Sequence, residues 1–187
     1  MKSLVRCKAC GFVMEAEKVE DVCPACGVPS KMFEAFTDNI SEKRKWILDR
    51  HLHPVVVHLP NALAPLMLLF SCGLLVFSVP MKDELFVTFK VLAFCLPFTL
   101  VAAFLSGLMD AKVRFRRYTT PILKKKMALG ILFFGCSLVL LFFTQATPEP
   151  EGLLHISVMI AVSALALLCG VFLGLYGSSI LNARFPG

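Results

Sequence analysis

The chain has 187 residues, 57% of them hydrophobic and 17% charged, and carries a formal net charge of +6. Ordinary soluble domains hold about 45–50% apolar and about 25% charged residues, so this composition excludes one. The apolar residues are also unevenly placed, which divides the chain into a small N-terminal module at 1–36, a basic tether at 37–52 and a membrane domain at 53–187.

The module comes first. Its opening, "MKSLVRCKAC", has no apolar run of the length a secretory signal needs, so the module is expected to stay in the cytoplasm. A reducing cytosol disfavours disulfides, which leaves metal binding as the expected use of its cysteines. Those cysteines stand in two matched knuckles, "CKACG" at 7–11 and "CPACG" at 23–27. Gly11 and Gly27 follow the pairs, where a positive φ turns backbone N–H groups toward the sulfurs. Two facing knuckles make a tetrahedral S₄ set from Cys7, Cys10, Cys23 and Cys26, which suits zinc or a single iron. So small a module has little core, and the metal is needed for folding with either ion.

The fuller string "VRCKACGFVMEAEKVEDVCPACGVPSKMFEAF", about 4–36, resembles the short rubredoxin-like domain at the end of rubrerythrins. The likeness includes Phe12 after the first knuckle, an acidic insert, the CPxCG knuckle, Pro29, and Phe33 with Glu34. The resemblance implies one iron held by the four cysteines and shuttling one electron. Zinc stays the alternative.

The tether "TDNISEKRKWILDRHL" leads into "DRHLHPVVVHLPNALAP" at 49–65, which holds His51, His53 and His58. His53 to Pro60 reads HPVVVHLP. This resembles HPxxVHFP, the signature of a bacterial four-helix membrane family of unknown function, with Leu59 in place of Phe. Pro54 suits the first turn of a helix, with His53 at its cap. His58 lies just over a turn deeper in an apolar run, where an ionisable residue is a functional candidate and a neutral imidazole facing the bundle interior can ligate haem iron. His53 and His58 are about 140° apart around a helix, so they cannot clamp one iron together. Met127, a non-helical His53 and a histidine of a second subunit are the candidate further ligands, a five-coordinate haem is the alternative, and a dimer-shared site makes a homodimer one of the possible states.

Four segments have the roughly 20 apolar residues that a span requires, at about 55–79, 85–109, 127–146 and 153–180. The fold class expected is therefore a rubredoxin-like knuckle module plus an all-α four-helix transmembrane bundle. Pro97 is expected to kink the second span. Gly170 and Gly174 form a GxxxG pattern suited to packing within the bundle. Each span holds one cysteine (Cys72, Cys95, Cys136, Cys169), expected at scattered depths as small apolar residues.

Lys and Arg set the orientation. The loop 110–126 holds seven and "EKRKWILDR" holds four, whereas the loops 80–84 and 147–152 hold one between them. The N-terminus, the long loop and the C-terminus are thus expected on the cytoplasmic side of a prokaryotic inner membrane. This topology accounts for the net charge, and no nucleic-acid partner is expected. Arg116 and Arg117 sit at the level of the histidines, where they suit haem propionates, an acidic partner or lipid headgroups. His155 begins the fourth span on the opposite side.

No nucleophile–base pair, phosphate loop or carboxylate pair is present, and no catalytic residue is assigned. The sequence points to a membrane electron carrier. It would pass single electrons between a cytoplasmic Fe(Cys)₄ centre and a haem b or quinone near the cytoplasmic face, with a cytoplasmic redox partner. Any enzymatic activity would be that of an oxidoreductase. The alternative is a zinc-ribbon anchor or assembly factor that recruits a cytoplasmic partner.

Overall fold

Three short strands frame the N-terminal module in the computed structural model, which describes residues 3–37, 41, 44, 46–47, 50–115, 120–149 and 152–181. They are β1 (Leu4–Cys7), β2 (Val13–Glu15) and β3 (Phe33–Phe36). The sheet order is β2-β1-β3 and both pairings are antiparallel. In β1, Leu4 pairs with Glu15 on one side and Phe36 on the other, and Cys7 pairs with Phe33. The first knuckle is the turn that reverses the chain between β1 and β2, closed by the Cys7 N–H donating to the Phe12 carbonyl at 2.8 Å. Strands of three or four residues need further support to hold together. Here the next best anchor is the cysteine set itself, since Cys7 and Cys23 are its buried residues.

A second compact unit covers Trp46–Gly177. It contains four long helices: α1 (Leu52–Val76), α2 (Met81–Phe115), α3 (Pro121–Gln145) and α4 (Gly152–Leu181). All four are long and apolar enough to cross a membrane. Their interior is assembled at three- and four-residue intervals, as on α2, where Phe86, Phe89, Ala93, Leu96 and Leu100 are buried together. Met67 of α1, Phe133 and Leu140 of α3, and Met159 of α4 complete that core. Leu69, Phe98, Phe142 and Leu168 are exposed, an outward apolar surface that water does not tolerate at this density but a bilayer does.

The helices overrun the expected spans where polar residues continue the helix past the apolar limit. Residues 110–115 extend α2, because neither Asp110 nor Lys112 breaks a helix. Its 35 residues reach about 52 Å, well beyond a hydrocarbon core of about 30 Å. Likewise α3 begins at Pro121, before the triple lysine. Thr120 caps it, its hydroxyl accepting from the Leu123 N–H at 3.4 Å, and proline occupies the first turn. Pro60 and Pro65 lie inside α1 and Pro97 inside α2 without ending either helix. The buried hydroxyls of Ser71, Ser106, Ser137 and Thr144 bond back to carbonyls three or four residues earlier in their own helices. Gly170 is used as the GxxxG pattern predicts, since a Cβ there would meet Asn61 Oδ1 at 3.2 Å and Phe133 at 3.5 Å. Gly174 borders open space.

Candidate metal centre

The two knuckles repeat each other atom for atom along the backbone. In the first, the Gly11 N–H donates to the Cys7 carbonyl and the Cys7 N–H to the Phe12 carbonyl; in the second, Gly27 donates to Cys23 and Cys23 to Val28. All four bonds are 2.7–2.8 Å long. Gly11 and Gly27 carry the positive φ that the spacing predicts, 75° and 76°. That conformation favours glycine, and it turns the next amide back over the knuckle.

The result is one group of four sulfurs, Cys7, Cys10, Cys23 and Cys26, all within 4.8 Å of one another. Cys7 and Cys26 are 3.8 Å apart, as are Cys10 and Cys23. Metal–sulfur bonds of about 2.3 Å in a regular tetrahedron put sulfurs about 3.8 Å apart, so the set fits a tetrahedral zinc or iron ion. Backbone N–H groups face the sulfurs: that of Phe12 is on Cys10, those of Ala25 and Cys26 on Cys23, and that of Val28 on Cys26. These amides stabilise thiolate, the form a metal requires.

The electrostatics show why a cation belongs there. At Cys23, burial pushes the thiol up, but the Ala25 and Cys26 amides and the neighbouring thiols bring it down to about 7. At Cys26 the Val28 amide favours the thiolate. Desolvation and three crowding thiols outweigh it and push the group up to about 12. Cys10 is also raised, the Phe12 amide opposing desolvation and its Cys7 and Cys23 neighbours. Four negative sulfurs cannot share this space without a positive ion between them. The set is also asymmetric toward solvent. Cys7 and Cys23 are buried, Cys10 is half-buried and Cys26 is exposed. The Lys8–Glu34 pair, at 3.8 Å, is exposed on both sides and adds little.

The histidines of the second unit fall differently from the sequence expectation. The cap of α1 is His51, held at φ 47°, and His53 sits inside the first turn. His53 is the inward-facing one. Its Nδ1 lies 3.0 Å from Ser106 Oγ, and its ring covers Gly107 so closely that a Cβ there would stand 3.0 Å from Cε1. His58, expected to face the interior, is exposed instead. The angle of about 140° between the two positions means that turning one inward turns the other out. Met127 is half-buried. Arg116 and Arg117 lie outside the described residues. His155 packs against Phe143, ring centroids 4.4 Å apart, and edge-on to Phe86 at 6.3 Å. Its Nε2 is buried with no hydrogen-bond partner among the described residues. Sequence reasoning noted "SGLMD" at 106–110 as part of the membrane-family likeness but gave Ser106 and Gly107 no role. Two small residues side by side, within "FLSGLMD", are the signal that a bulky group packs over them. Cys136 and Cys169 are buried, while Cys72 and Cys95 are exposed.

Residues 6–34 match the family model described as the rubrerythrin, rubredoxin-like domain. No curated protein and no solved structure matches the chain. The family match spans both knuckles and the approach to β3, the same residues that bring the sulfurs together. A rubredoxin-like domain with four cysteines at metal-binding distance therefore opens the chain, and four helices long enough and apolar enough to cross a membrane follow it.

Proposed function

We propose that the protein is a membrane-anchored electron carrier whose rubredoxin-like domain holds one iron in Cys7, Cys10, Cys23 and Cys26. The observation that carries this is the pairing of a rubredoxin-type sulfur set with amide donors on its sulfurs. Hydrogen bonds to sulfur and solvent exposure are the levers that set the potential of an iron–sulfur site. The exposed Cys26 offers the edge through which a cytoplasmic partner exchanges an electron. When bound, iron supplies a one-electron couple; the residues supply its tetrahedral charge cage.

The excess of Lys and Arg before α1 and between α2 and α3 supports a cytoplasmic module on a prokaryotic inner membrane. The membrane-side acceptor was expected to be a haem b or a quinone. Quinone is the better fit, because His53 turns toward Ser106 while His58 is exposed, so the two cannot share one iron. The same sulfur geometry accepts zinc, which would make the module a structural ribbon that recruits a partner.

The visible spectrum of detergent-purified protein, before and after dithionite, with iron and zinc measured on the same sample, tests this. Red protein with about one iron per chain, bleaching on reduction, is the expected outcome. Colourless protein with one zinc per chain overturns electron transfer and leaves the anchor. A sharp haem band on reduction would return the acceptor to haem.

A further inference from the structure

The end of the bundle where α1 begins carries an arginine that no acceptor answers. Arg50 is exposed, and its guanidinium carbon lies 3.6 Å from the centre of the Trp46 ring. Among the described residues it makes no ion pair and no hydrogen bond. Stacking covers one face of the guanidinium and leaves its N–H fork open at the edge, and such a fork binds phosphate bidentately. The ring also holds the arginine in one orientation, so less freedom is lost when an anion arrives. Trp46 is 59% exposed and is the chain's only tryptophan. Arg50 stands two residues before Leu52, the first residue of a helix long and apolar enough to cross a membrane. That polar margin is where tryptophan gathers in membrane proteins.

A groove opens just inside that margin. It holds about 400 Å³, is open along one side, and is lined by Val55, Val56 and Leu59 of α1 and by Phe98, Thr99 and Ala102 of α2. Its volume falls in the range of about 300–1,000 Å³ used by small-molecule sites. Thr99 has the one hydroxyl of the lining, and its proton is already given to the Leu96 carbonyl at 2.7 Å. The groove therefore offers side-chain carbon and no side-chain donor, which suits a hydrocarbon chain. Leu52 lies one turn above Val55 and Val56 on the same side of α1. Three residues of helix rise about 4.5 Å and two of extended chain reach at most about 7 Å. The Arg50 backbone thus stands within about 12 Å of the groove's first residue along the helix, an interval that the glycerol and first methylenes of one phospholipid span.

A phosphate-binding fork above a carbon-lined slot fits a molecule with an anionic phosphodiester and an acyl chain. We infer that this end of the α1/α2 seam binds one anionic glycerophospholipid, its phosphate on Arg50 beside Trp46 and one acyl chain along Val55, Leu59 and Phe98. The charge of Arg50 sets the headgroup class. A choline headgroup carries its own cation, which the guanidinium repels, whereas a glycerol headgroup leaves the phosphate as its one charge. A quinone ring is neutral and gives Arg50 nothing to neutralise. The inference rests on the four helices lying in a bilayer and on nothing at the cysteines.

Full-length protein in detergent micelles, titrated with phosphatidylglycerol or phosphatidylcholine bearing a nitroxide high on one acyl chain, tests the site. Quenching of the single tryptophan reports on Trp46 alone. Saturable quenching by phosphatidylglycerol, about tenfold tighter than by phosphatidylcholine, is the expected result, the worth of one charge-assisted contact. Arg50→Gln should remove that preference and leave the thermal unfolding profile unchanged, since Arg50 is exposed. Ala102→Phe, which fills the groove from an exposed position, should weaken both lipids alike. Equal affinity for the two lipids in the unmodified protein overturns the inference whether or not the variants fold. A preference that Arg50→Gln leaves intact overturns it as well. Inorganic phosphate that displaces the lipid at equal concentration would assign the fork to free phosphate and overturn the lipid. The metal and spectrum of the same sample separate the two proposals. Red protein indifferent to phosphatidylglycerol removes the lipid site and leaves the electron carrier. Zinc protein that selects phosphatidylglycerol removes the electron carrier and leaves the lipid site.

Discussion

Each knuckle works through a single glycine and the amides behind it. Positive φ at Gly11 and Gly27 sets the turn, the turn aims the Phe12 and Val28 amides, and the amides stabilise sulfur charge. The metal-free site then has thiols of unequal readiness. Cys26, at about 12, and Cys10, raised, keep their protons at neutral pH, whereas Cys23 near 7 changes state there. A metal binds thiolates only, so every proton present must leave, and affinity falls as pH falls. Zinc affinity should therefore fall steeply between pH 8 and pH 6, measured by competition with a chelator of known affinity, and an affinity unchanged over that range would contradict thiolate ligation. The four ligands were legible in the sequence because CxxCG is a local device, fixed by neighbours within five residues. His53 against His58 was not legible. Both stand on one apolar helix, and only the partner helix, through Ser106 and Gly107, decides which one turns inward.

The helices were legible in number and type but less so at their ends. Apolar length marks a span, yet a helix stops where its backbone is interrupted rather than where its hydropathy fades. The Thr120–Pro121 start of α3 and the run of α2 to Phe115 follow that rule, and the charges at 110–115 and 124–126 concealed both. Packing between helices shows the same split. The GxxxG pattern names Gly170 and Gly174 alike, but Gly170 alone has a neighbour in its place, Asn61 on α1 with Phe133 on α3 behind it. Gly170→Ala would force that contact at 3.2 Å, an overpacking worth about 1–3 kcal/mol of destabilisation. Gly174→Ala meets nothing within 4 Å and should lie within about 0.5 kcal/mol of the parent. Unfolding midpoints of the two variants in the same detergent compare them directly. Equal losses would mean that the Asn61 contact does not hold α4.

The two units meet different solvents and are stabilised by different means. The bundle buries Phe86, Phe89, Phe133 and their neighbours and turns its remaining apolar surface outward, whereas the module has three short strands and one set of sulfurs. On the proposed topology, Glu149→Cys should react with an impermeant maleimide on intact cells, and Lys124→Cys only after the membrane is opened. Labelling in the reverse order would invert the topology. Metal removal should then divide the chain along the same boundary. So few strands cannot outweigh the conformational entropy of some 30 ordered residues without a metal clip, at about 1–2 kcal/mol per residue. A strong chelator should therefore unfold residues 6–34 and leave the helices standing, because no residue of the bundle's core is a ligand of the site. Far-UV dichroism, dominated by the helices, should barely change, while trypsin should cut rapidly at Lys8, Lys18 and Lys31 and spare the spans. Adding zinc or ferrous iron back should restore protection. A module that resists trypsin without metal would show that its sheet and turns hold by themselves, and the four sulfurs would then be free to serve the electron alone.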